Sequence, residues 1–292
     1  MIAIAPRDLA LLVGITLIWG ANLVVSKYGV SEIPPVLFAF LRFAILGVIL
    51  VPFMRVHPGQ MSALVVAALL SGGLHFALCF VGLALAESVS AVAIATQLGV
   101  PFTTLLSVAL LGEVVRWRRW TGILLAFAGV FIMGFDPRIA VRWHALALVI
   151  ASAFVGSLGL IAVKKLQGFR PLELQAWFAW ISVPVLLLVS LAIERPALED
   201  LAHVSAGAWG ALLFTALGAS LLAHTGFFHL VQRYPVTSVA PVTVLAPLFS
   251  VVFSVLFLGD RLTPRLVIGG ACTLLGVLII TLRERRIVDV SS

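Results

Sequence analysis

Acid is scarce in this chain. Its 292 residues include 12 Asp and Glu against 19 Lys and Arg, and charged residues of both signs make up only 11% of it. A soluble domain carries roughly 25%, so the chain lacks the side chains to wet a folded surface. No Asp or Glu lies deep in a long apolar run, which leaves no carboxylate pair for acid–base chemistry inside a membrane. Metal chemistry is equally unprovided for. Cys79 and Cys272 stand inside apolar runs without the near-neighbour Cys or His spacing of a metal site, and HExxH does not occur. Both cysteines read as small core residues. A GxxxxGK[ST] loop is missing too, so the chain has no P-loop nucleotide engine of its own. The net charge of +7 is spread over short clusters between apolar runs. Without a basic patch or aromatic–basic alternation, nucleic acid is not an expected partner. No cofactor and no metal are expected.

Apolar sequence fills the space instead, with 62% hydrophobic residues. Crossing about 30 Å of hydrocarbon takes about 20 apolar residues. Breaks at charges and Pro/Gly clusters mark ten such segments: 9–28, 33–53, 62–84, 88–111, 118–135, 144–165, 172–193, 206–230, 236–258 and 263–282. Helices are the expected form, because lipid offers the backbone no other partner. The first segment holds Trp19 and Asn22 and no small-x-small cleavage site, so it reads as a spanning helix rather than a removed signal.

The chain also repeats itself. Residues 90–133 laid without a gap on 237–280, a shift of 147, give 14 identities in 44 positions. They include Thr96/Thr243, Phe102/Phe249, Ser107/Ser254, Gly112/Gly259, Gly122/Gly269 and Gly129/Gly276, and an acid follows the glycine in both copies, Glu113 and Asp260. This is the mark of an internal duplication. Ten spans divide as five and five, and an odd number sends the second copy into the membrane the other way up. The expectation is an all-α polytopic membrane protein, ten transmembrane helices arranged as two inverted five-helix repeats, 1–137 and 138–292. Such an architecture favours transporters, whose halves meet around a site near the bilayer midplane. With the N-terminus inside, inner segments hold twelve Lys and Arg and outer ones six, which predicts both termini in the cytoplasm and the 194–205 link outside.

Three stretches, WGANLVVSK at 19–27, PPVLFAFLRF at 34–43 and LAPLFSVVFSVLFLGDRLTPRLVIGGACTLLGVLII at 245–280, resemble the EamA-type branch of the drug/metabolite transporter superfamily. Pro247, Gly259, Asp260, Leu262, Gly269 and Gly276 fall on the family pattern, with Asp where the family more often has Glu. In the first copy the proline, Pro101, stands one position later than Pro247 would place it. The resemblance implies a multi-pass carrier of the bacterial inner membrane, without a nucleotide-binding engine. It implies a small-molecule substrate drawn from amino acids, related metabolites or drugs.

Polar residues inside the spans are the candidate site, since each needs a partner or a purpose there. Thr16, Trp19, Asn22 and Ser26 share one face of the first span, as a cavity stripe or as helix–helix glue. His75 in the third span and His224, with Ser220 and Phe228, in the eighth are the titratable groups suited to substrate or proton contact, or serve as neutral hydrogen-bonding residues. Protons are the candidate coupling partner. Gln97 could orient a substrate or tie two helices. Pro101, Pro241 and Pro247 each free a carbonyl one turn earlier and mark candidate hinges. Arg42, in mid-span, meets an anion or is locked structurally. Lys27 and Lys164 read as interfacial anchors, and Trp177 and Trp180 as cavity or interface residues. The leading expectation is an alternating-access exporter of amino acids or related metabolites, with substrate on Trp19, Asn22, His75, Gln97, His224 and Phe228. An intramembrane enzyme and an exporter of drug-like compounds are the alternatives. Oligomeric state is not fixed by the sequence.

Overall fold

The computed structural model describes residues 5–195, 201–234, 239 and 242–283, and the regular structure in them is helical throughout. A helix falls on each of the ten expected segments: α1 Pro6–Glu32, α2 Pro35–Leu50 with a short 3₁₀ turn Val51–Phe53, α3 Met61–Leu85, α4 Val89–Leu111, α5 Trp117–Gly134, α6 Trp143–Lys164, α7 Pro171–Ile193, α8 Ala206–Val231, α9 Leu245–Leu258 and α10 Pro264–Arg283. Among the described residues eight are long and apolar enough to cross a membrane; α9 is shorter, and two arginines in its first turn make α5 more polar. Leu188, Leu256, Phe257 and Phe131 project outward from their helices. Water would penalise such a surface; hydrocarbon does not.

Helix ends follow local chemistry. α1 stops where Pro34 and Pro35 forbid another turn, and α2 begins on Pro35, whose missing N–H is no loss at a first helical position. The next two orphan amides, of Val36 and Leu37, donate to the Glu194 carboxylate at 2.6 and 2.9 Å.

The most extensive helix pairs all join the first half of the chain to the second: α5 with α10, α2 with α7, α3 with α6, and α1 with α8 and α9. Small residues permit the approach, as membrane packing favours. A Cβ at Gly122 would stand 2.8 Å from the Gly276 carbonyl oxygen, and one at Gly276 would stand 2.5 Å from the Gly122 oxygen. Gly129 and Gly269 meet in the same reciprocal way. In the 147-residue register Gly122 is the mate of Gly269 and Gly129 the mate of Gly276, so each glycine meets the mate of the other. Between them Thr273 donates to the carbonyl of Ala126, its own mate, at 3.3 Å.

Candidate functional site

Among the described residues three helices are wound wide, and two of the windings end on a histidine; the third, Ser254–Leu258 in α9, ends on Gly259. In α3 the segment Leu69–Leu74 is π-helical and the α-helix resumes at His75; in α8 the segment Phe214–Ala223 is π-helical and resumes at His224. π-turns are rare and concentrate at functional sites. In α8 the wide winding presents carbonyls to side chains. Ala219 O accepts from Trp19 Nε1 at 3.3 Å and from His224 Nδ1 at 2.7 Å, Ser220 O accepts from Gln175 Nε2 at 3.2 Å, and Thr215 O accepts from Ser220 Oγ at 2.9 Å. His75 Nδ1 lies 2.9 Å from both the carbonyl and the hydroxyl oxygen of Ser152 on α6. A carbonyl only accepts, so the proton of each neutral ring belongs on Nδ1 and Nε2 remains an acceptor.

Arg42 sits between the two histidines. Its side chain is 4% exposed, and both Nε and Nη2 donate to the single hydroxyl of Ser220, at 2.9 and 2.6 Å. Its guanidinium carbon stands 4.4 Å from the centre of the Phe76 ring, with Phe80 and Phe43 farther off at 5.7 and 5.9 Å. The Phe76 ring in turn lies 4.8 Å from that of His75. Trp19 packs against His224 at 5.2 Å and Phe227 at 5.3 Å between ring centres. Contacts therefore run without a gap from His224 and Trp19 through Ala219, Ser220, Arg42 and Phe76 to His75.

That chain contains no acid. Among the described residues no carboxylate pairs with Arg42. A desolvated cation–π contact contributes about 2 kcal/mol, less than the several kcal/mol that removing one ion from water costs. The aromatic ring and one hydroxyl do not offset the burial. Two acceptor atoms nearby are also buried without a partner, Gln175 Oε1 on α7 and Asn22 Oδ1 on α1.

Of the residues singled out from sequence, Trp19, His75, His224 and Arg42 are thus brought together, and Asn22 follows Trp19 on α1. Gln97 stands apart, at the break between the α4 pieces Val89–Thr96 and Gly99–Leu111, and its side chain makes no hydrogen bond to any described residue. The break falls four residues before Pro101, where proline leaves a carbonyl without its donor. α9 likewise starts after Val244, the register mate of Gln97, although Pro247 is offset from Pro101 by one. Pro241 lies outside the described residues. The backbone of Phe228 is in the helix His224–Arg233, but its side chain lies outside them.

The Lys27 ammonium donates to the carbonyls of Leu83, Ala84 and Ala86 at 2.7–2.9 Å and closes the C-terminal end of α3. Trp177 and Trp180 donate to the carbonyls of Arg55 and Gly47, holding α7 to the link after α2 and to α2 itself. Sequence reasoning missed Gln175, Ser152 and Phe76. Gln175 had the only usable signal, an amide in an apolar run four residues after Pro171.

The EamA-like transporter family matches residues 8–135 and 142–282. A "Probable amino-acid metabolite efflux pump" of Escherichia coli (strain K12) is 28% identical over 98% of this chain and 99% of its own. "Uncharacterized transporter YvbV" of Bacillus subtilis (strain 168) is 31% identical over 90% of this chain and 88% of its own. A solved structure titled "Crystal structure of protein" superposes with a TM-score of 0.65 at 19% identity, covering 98% of this chain and 99% of that one. At that identity the likeness is one of fold.

Proposed function

The chain belongs to the EamA-like transporter family, a family of membrane transporters, and on that premise we propose that it exports amino acids or related small metabolites across the bacterial inner membrane by alternating access. The observation that carries this reading is the pair of π-windings ending at His75 and His224, one in each half of the chain, with the Arg42 cluster strung between them. A discontinuity at matching places of two repeats is where transporters build their sites. The halves are 1–137 and 138–292. Their inverted relation is supported by the reciprocal glycine contacts of α5 and α10, since a two-fold axis is what makes mates exchange partners.

Substrate binds between the halves against Trp19, Asn22, His75 and His224, with Gln97 at the α4 break. Pro101 and Pro247 serve the hinges on which the halves rock. Both termini face the cytoplasm, which reporter fusions in the 194–205 link test: a cytoplasmic signal there is incompatible with ten spans. Protons couple transport through the imidazoles of His75 and His224. No catalytic step is required of any residue, and the amino-acid name on the Escherichia coli relative favours that substrate class over drug-like compounds.

Proteoliposome counterflow against a panel of amino acids and metabolites tests the carrier. Saturable exchange of at least one compound is expected, with a rate that depends on pH through the histidines. The His75→Gln, His224→Gln double variant should keep its fold and lose that pH dependence. An unchanged pH profile would overturn proton coupling through histidine, and no exchange of any compound would overturn the carrier.

A further inference from the structure

We propose that Arg42, with Ser220 and Gln175, forms the subsite that receives the carboxylate of a transported small molecule, and that the same molecule offers an N–H donor to Gln175. This rests on the carrier reading and goes beyond it by giving the substrate a chemical class and a register.

Three observations point the same way. First, the guanidinium has five N–H bonds in a fixed fork, and only Nε and Nη2 are used, both on one hydroxyl oxygen. Nη1 makes no hydrogen bond to a described residue. A fork that grips one neutral oxygen with one edge keeps further donors for a planar anion. Second, the group is 4% exposed and has no acid beside it among the described residues, so the structure supplies the cation without its anion. Third, Gln175 donates its amide N–H to the Ser220 carbonyl while its Oε1 is buried and unpaired. The same residue, Ser220, therefore carries Arg42 on its hydroxyl and Gln175 on its carbonyl. A free donor edge and a free acceptor held on one residue match a compound that carries an anionic and a donor group a few bonds apart, as an α-amino acid does.

Placement adds mechanism. Ser220 lies in the π-wound part of α8, while Arg42 is on α2 and Gln175 on α7, so the subsite joins helices of both halves. A carboxylate bound there neutralises a charge that otherwise stays buried without a counter-ion. Loaded and empty carriers then differ in the cost of closing the site, which is the differential binding that alternating access needs.

The test uses the full chain in proteoliposomes and the twenty proteinogenic amino acids, each as free acid and as carboxamide, with ethidium as an apolar cation for contrast. Wild type is expected to exchange at least one free acid, and its carboxamide should be weaker by about tenfold to a hundredfold, the scale of one charge-assisted contact. Arg42→Gln should erase that ratio, and Arg42→Lys, which keeps the charge but not the fork, should restore part of it. Gln175→Leu should weaken the amino acid relative to its des-amino acid. If acid and carboxamide exchange equally in wild type, or if ethidium alone moves, the subsite is overturned while the carrier stands. If Arg42→Gln does not fold, the wild-type ratio and the Lys variant still decide. A Lys variant with lower folded yield but an unchanged acid-to-carboxamide ratio makes Arg42 structural and overturns the proposal. Absence of exchange by any probe removes the carrier reading itself.

Discussion

The two Gly–acid elements begin alike and end differently. Gly112 and Gly259 cap α4 and α9 in the left-handed region, with φ of 70° and 68°. In each, the glycine amide and that of the following acid both reach the carbonyl of a serine mate, Ser107 or Ser254. From there the side chains part. Glu113 reaches out to Lys164 at 3.2 Å, both roughly half exposed. Asp260, one methylene shorter, turns inward, and its Oδ2 accepts from Ser254 Oγ at 2.6 Å, Ser88 Oγ at 3.1 Å and the Ser90 amide at 2.8 Å. It thereby closes the N-terminal end of α4, where the helix dipole favours a negative charge. Duplication has kept the backbone and given its two acids different tasks: one forms a solvated ion pair, the other stitches the second half to the first.

The sharpest way to break this comparison is Asp260→Ala. It removes an anion with three donors, and we expect a loss of about 3 kcal/mol, read by thermal unfolding in detergent with a thiol-reactive dye on Cys79 and Cys272. A loss no larger than that of Glu113→Ala would mean the two acids are equivalent after all. Next come Gly112→Ala and Gly259→Ala. Open space surrounds both positions, so only the backbone resists, at about 1 kcal/mol each. Equal losses confirm the shared cap, and unequal ones would show that the side chains act back on the turn. The smallest effect belongs to Glu113→Gln, at most about 1 kcal/mol for an exposed pair, and raised salt should abolish it. A salt-independent loss would place Glu113 in a buried role.

The ends of these elements were legible from the sequence because glycine before an acid, repeated at a fixed interval, is a local signal. Span lengths were legible for the same reason: an apolar run has the length that the bilayer demands. The site was readable only in part. Trp19, His75, His224 and Arg42 were visible as polar residues in the wrong solvent. Their company was not, because Gln175, Ser152 and Phe76 join through helix pairing that no single run encodes. The π-windings left no trace either: Leu69–Leu74 and Phe214–Ala223 are ordinary apolar sequence. The partners of Lys27 were hidden as well, because they lie 56 to 59 residues away at the end of another helix.

The seam between α5 and α10 sets a rule for genetics. When a bulky substitution clashes with a side chain, trimming that side chain can rescue it. At Gly122 and Gly276 the nearest obstacle on each side is the other glycine's carbonyl oxygen, and Gly129 and Gly269 oppose each other likewise, with Thr273 and Met133 close beside them. Nothing smaller can replace a residue that already has no side chain. Second-site suppressors of changes at these four positions should therefore not arise at the opposing glycine, and selection for them should return substitutions elsewhere along the two helices that let them move apart.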